Sequence, residues 1–102
     1  MPKPRTDLQM LLENALGSRH VYFQPPETVK MSYPAIVYGL AKMDGIHADN
    51  LTYVGLKAYQ VTVIDKDPDS ALPDRISELP YCRFDRYFTA DKLNHYVFTL
   101  YF

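Results

Sequence analysis

The chain has 102 residues, 47 % hydrophobic and 23 % charged, with a formal net charge of −1. That length makes one domain with a modest core, and that hydrophobic content excludes a disordered chain. Balanced charge without a basic stripe argues against a nucleic-acid binder, a single cysteine excludes an internal disulfide, and no run approaches the ~18 apolar residues of a membrane span.

Met1-Pro2-Lys3-Pro4-Arg5 lacks the apolar run of a signal peptide, so folding in the cytosol is expected. Leu8, Leu11, Leu12, Ala15 and Leu16 then recur at helical spacing. With Thr6 or Asp7 to cap it and Gly17 to end it, the spacing predicts a short amphipathic helix over 7–16. His20 to Gln24 alternates, with Val21 and Phe23 on one face, until Pro25-Pro26 stops it. A loop over 27–33 leads through Tyr33-Pro34 into Ala35-Ile36-Val37-Tyr38-Gly39-Leu40, nearly continuous in apolar residues, as a central strand is.

Met43 to Leu56 is rich in turn chemistry: Asp44-Gly45, Ala48-Asp49-Asn50 and Gly55. It is longer than the ~2–5 residues a tight hairpin needs, and long loops in compact domains tend to be functional or mobile, so mobility is expected in the free subunit and order on assembly. Lys57 to Asp65 reads as a strand, with Tyr59, Val61 and Val63 on one face and Ala58, Gln60, Thr62 and Ile64 on the other. Asp67-Pro68-Asp69-Ser70 breaks it. Pro73 suits the first turn of a second helix, with Leu72, Ile76 and Leu79 as its buried stripe before Pro80. Strands over 82–88 and 95–102 close the chain as a hairpin through Ala90-Asp91-Lys92-Leu93-Asn94. The order α-β-β-β-α-β-β predicts an α+β class, a single domain whose largely antiparallel sheet carries two short helices on one face.

Tyr81 to Phe102 holds eight of the fourteen aromatic residues. Chain ends are usually polar and frayed unless tied down, so Tyr96 to Phe102 should be an interior strand or be covered by another molecule. Tyr96, Phe98, Leu100 and Phe102 fall on one side and Val97 and Tyr101 on the other, so both faces carry apolar area. One face can meet the helices; the second wants a partner.

Candidates for chemistry are weak. Asp65-Lys66-Asp67-Pro68-Asp69 opens like a calcium loop, but Ser70 stands where the sharp turn needs Gly, and Ile76 where a bidentate Glu is needed. An acidic turn is the better reading. His20, His47, His95 and Cys82 share no metal-ligand spacing. Cys82 beside Arg83, with His95 across the hairpin, could be a reactive thiol; a core-filling cysteine fits better. No phosphate-cradling glycine motif or nucleophile elbow is present. Strict alternation puts Arg83 with Asp85 on one face of the strand and Arg86 with Phe84 and Phe88 on the other.

Val21-Tyr22-Phe23-Gln24-Pro25-Pro26, Met31 to Tyr38, Tyr59 to Ser70, Leu79 to Arg86 and Asp91 to Phe102 together resemble small neck proteins of long-tailed bacteriophages and prophages, described as tail-terminator, tail-completion or head–tail joining proteins. The likeness covers nearly the whole chain and is weakest in Met43–Leu56. It implies an α+β subunit, not an enzyme and without a cofactor or metal, that assembles with itself into a ring, expected to be hexameric. The ring would sit at the head-proximal end of the tail, in the virion neck after assembly in the host cytoplasm. Implied partners are the tail-tube protein and a head-completion or connector protein, with DNA passing through and no membrane. Met43, Asp44, His47, Asp49, Tyr53, Arg83, Arg86 and Tyr101 are the candidate subunit or tail-tube contacts. A head-completion adaptor below the portal is the alternative within the class; a small cytosolic ligand-binding domain or enzyme is the alternative outside it.

Overall fold

The computed structural model describes residues 4–25, 30–42 and 57–102. The first helix, α1 (Arg5–Leu16), starts two residues earlier than its apolar spacing suggests. Neither Thr6 nor Asp7 caps it: Pro4, in extended backbone, holds the N-cap position, and its carbonyl accepts from Asp7 N–H at 3.0 Å. Asp7 instead lies in the first turn, where its charge complements the helix dipole. Gly17 ends the helix as expected, at φ 84°, donating its N–H to Glu13 O.

Among the described residues five strands follow in one sheet: β1 (Val21–Phe23), β2 (Ala35–Lys42), β3 (Ala58–Asp65), β4 (Cys82–Ala90) and β5 (Leu93–Tyr101). A second helix, α2 (Leu72–Ser77), stands between β3 and β4. The spatial order is β1-β2-β3-β5-β4. β1 pairs parallel with β2, and every other pairing is antiparallel. β4 therefore runs parallel to β3, with β5 inserted between them. The fold is α+β in the predicted order.

Both helices lie on one face, because that face holds the large side chains. Val21, Ile36, Tyr38, Tyr59, Val61, Val63, Phe98 and Leu100 meet Leu8, Leu12 and Leu16 of α1 and Leu72 and Ile76 of α2 in a single core. The terminal strand is interior, as its alternation predicts: Phe98 and Leu100 are each 1 % exposed. Main-chain bonds between Lys57 and Phe102 run in both directions and fix the end of β5 against the start of β3.

Among the described residues, buried polar side chains are partnered. The Tyr38 hydroxyl donates to Gln9 Oε1 at 2.6 Å and accepts from Arg5 Nη1 at 3.0 Å. Gln9 Nε2 in turn donates to Val21 O. Together they bind α1 to the β1 edge. Asn94 donates to Asp65 O at 3.1 Å and accepts from the Tyr87 hydroxyl at 2.7 Å, tying β5 to both neighbours. Gly39 is small for a local reason: a Cβ there would come within 3.0 Å of Gln24 Cγ, whose Oε1 accepts from Leu40 N–H.

The acidic stretch after β3 is a turn: Asp65 accepts from Asp67 N–H and Asp67 from Asp69 N–H, each through a carboxylate oxygen. The hairpin is tighter than its sequence suggests. Only Asp91 and Lys92 lie between paired residues, at φ 53° and 64°, the signature of a type I′ turn.

Candidate interaction surface

A sheet has two edges, and here they differ in length. β1 offers three residues, β4 nine. Every β4 residue after Cys82 is exposed, including Phe84 (51 %), Tyr87 (49 %) and Phe88 (39 %). On the helix-bearing face, which carries Phe84 and Tyr87, the reason is reach. A six-residue helix is roughly 9 Å long, whereas a nine-residue strand extends about 30 Å. Cys82 packs against the helix-covered core, while Phe84 and Tyr87, on the same face, stay half open.

The side chains of β4 do not follow strict alternation. Between Phe84 and Arg86 the register shifts: Phe84 faces Phe98, Arg86 faces Val97, and Tyr87 faces Tyr96. Asp85 is the extra residue of a β-bulge. The grouping of Arg86 with Phe84 is thereby overturned. Phe84 and Tyr87 share the helix-bearing face, where their rings meet Phe98 at 5.5 Å and Tyr96 at 5.0 Å. Arg86 lies with Phe88 on the opposite face, its guanidinium 5.9 Å from that ring. Phe88 stacks on His95 at 4.6 Å.

The bulge is held by polar contacts on that opposite face. Asp85 accepts a short hydrogen bond from the Thr99 hydroxyl, and its other oxygen lies 3.4 Å from Arg83 Nε. Arg83 is well exposed, so this ion pair adds little stability. Its effect is to orient Asp85.

Of the candidate contacts, Arg83, Arg86 and Tyr101 come together on this second face. Arg83 is paired with Thr99 and Arg86 with Val97 across the β4–β5 ladder, and Tyr101 follows on β5. Met43, Asp44, His47, Asp49 and Tyr53 lie outside the described residues. Phe84, Asp85, Tyr87 and Phe88 lie on the same edge strand, beyond those candidate contacts. Their signal was an aromatic strand with apolar residues on both faces, one more than two small helices can cover.

The thiol reading is overturned. Cys82 faces Leu100, while His95 faces Phe88. Burial, with a smaller contribution from the Asp85 charge, pushes the thiol pKa up to about 11, so it is held as the inert neutral form. Among the described residues, no three His, Cys, Asp or Glu side chains gather as a metal site, and no helix is long and apolar enough to cross a membrane. An open depression of about 440 Å³ lies over β2 and β3, between Gln24, Pro25, Gly39 and Gln60. Among the described residues its lining includes no carboxylate, imidazole, thiol or cation. Compared with known protein families, characterised proteins and solved structures, the chain matches none.

Proposed function

We propose that the protein is a phage virion structural protein that forms a ring at the head-proximal end of the tail, stops growth of the tail tube and joins tail to head. One observation carries this reading: among the described residues an aromatic edge strand is left exposed, as a surface that another protein can cover. A closed ring of identical subunits needs two unlike surfaces on each, one for either neighbour. A sheet with unlike edges, one short and one long and aromatic, supports that requirement. The resemblance of its strands and turns to neck proteins supplies the biological setting. In this reading the chain works sterically, without catalysis or cofactor. The ring occupies the growing end, so tube subunits stop adding, and its outer surface receives the head connector.

Assembly without the gene tests the proposal. Loss of a tail terminator gives overlong, unjoined tubes beside filled heads. Loss of a head-completion adaptor gives tails of normal length beside heads that leak DNA. Normal infectious particles would reject both.

A further inference from the structure

The β4 edge is complementary to itself. Tyr101 N–H donates to Tyr81 O, so Tyr81 and Arg83 turn their main-chain groups toward β5. By the alternation of an antiparallel ladder, Cys82 and Phe84 then turn theirs outward. At the other end the two-residue turn closes on the pair Ala90 and Leu93, so Phe88 and Arg86 face β5 while Tyr87 and Thr89 point outward. All four outward residues share the helix-bearing face, because the bulge absorbs one residue between Phe84 and Tyr87. In a regular strand, residues three apart lie on opposite faces and cannot face one another across an antiparallel pair. Here they can.

We propose that β4 pairs antiparallel with the β4 of a second copy, about a two-fold axis passing between Asp85 and Arg86, so that the two five-stranded sheets become one. The occupant is a second copy because the complementarity reads the same in both directions. In this register Phe84 faces the second copy's Tyr87, Asp85 faces its Arg86, and Arg83 faces its Phe88. Each favourable facing occurs twice: ring on ring, acid on base, cation on ring. The outward main-chain groups add about eight hydrogen bonds. Sliding the strands to bring Phe84 against Phe84 sets Arg83 opposite the bulge twice, where it meets Arg86 as well as Asp85, and the unopposed acid-on-base and cation-on-ring facings are lost. The bulge and the arginines, which commonly guard an edge, thus favour the proposed register over that one. The inference concerns the free protein and stands without the ring reading. A ring that uses β4 must first open this pair.

Sedimentation equilibrium on the full chain tests it, with Arg86→Asp and Asp85→Arg as probes. The native chain should run at twice the chain mass. Each variant places two like-charged facings at the axis and should raise the dimer Kd by about tenfold or more. Mixing the two variants restores both opposite-charge facings, so the mixture should recover the native Kd. Circular-dichroism melts establish that each variant is folded. A second probe tolerates a fold that does not accept those charges. In the proposed register Cys82 faces Thr89 of the second copy, whereas in one chain the two are about 23 Å apart along the strand. Oxidised Thr89→Cys protein should therefore carry a disulfide from Cys82 of one chain to the introduced thiol of the other. A native protein at single-chain mass at its highest soluble concentration would overturn the proposal. So would a ring mass unaffected by the charge variants, a mixture that fails to recover, or absence of that disulfide between chains.

Discussion

The two edges of the sheet show what decides whether a strand is covered. β1 has three residues, Val21 is buried under α1, and Gln24 continues its ladder by one bond to Tyr38 O before turning away at φ 43°. Arg5 stacks over Phe23 at 4.4 Å and bonds Tyr38, closing that side with a cation and a helix. β4 has three times the length and a helix half as long as α1 to cover it. Exposure of Phe84 and Tyr87 follows from helix length, not from polarity. Aromatic side chains that would be core at the β1 edge become surface at the other.

The comparison can be broken most forcefully at the pair Phe98 and Phe84, identical residues facing each other across one rung. Phe98→Ala should cost about 3–5 kcal/mol, since a large ring leaves a cavity in a filled core. Urea denaturation measures it, and a loss below about 2 kcal/mol would contradict the interior placement of β5. Tyr38→Phe comes next. Removing the hydroxyl leaves Arg5 and Gln9 without their shared partner and should cost about 1–2 kcal/mol in the same assay. Its effect falls on the guarded edge, so hydrogen exchange should rise in α1 and β1 before β4. Phe84→Ser should change monomer stability by no more than about 1 kcal/mol, because half of the ring is already in water. A greater loss would mean that β4 depends on this ring for folding as well as for association.

The smallest effect sharpens the comparison at the root of β4. Cys82 has its thiol pKa raised from 9.0 to about 11, first by burial and then by Asp85. A raised folded-state value means the stabilisation is complete below about pH 9 and is lost as pH climbs through about 11. Tyr38 and Tyr59 are raised by burial too, and add to the decline above pH 10. Thermal melts between about pH 9 and 10 should therefore fall less steeply for Cys82→Ser than for the native chain. Parallel slopes would assign the loss to other groups.

Much of the fold was legible because burial repeats with the period of each element. Leu8, Leu12 and Leu16 declared α1, and Tyr96, Phe98 and Leu100 declared an interior β5. What escaped depends on contacts distant in sequence. The bulge at Asp85 is fixed by the Thr99 hydroxyl on the neighbouring strand, so nothing local announces it. The parallel pairing of β1 with β2 joins residues about fifteen apart with no local mark of strand direction, and the Asp91-Lys92 turn lacks the glycine that marks most turns of its type. In the candidate site, Arg83 and Arg86 could be read as strand cations with apolar neighbours. The exposure of Phe84 and Tyr87 could not, because it depends on where α2 ends in space.

The insertion of β5 between β3 and β4 also sets an order of events. Of the five strands it is the last to be synthesised, yet two earlier ones need it as their neighbour. As the chain emerges, β1, β2 and β3 can pair with what already exists, while β4 must wait beside a gap. Closing that gap demands contacts between residues far apart in sequence, which slows folding. During the delay Phe84, Tyr87 and Phe88 have no ladder on either side and are open to chance encounters, so the nascent chain is most prone to aggregate after β4 is made and before β5 arrives.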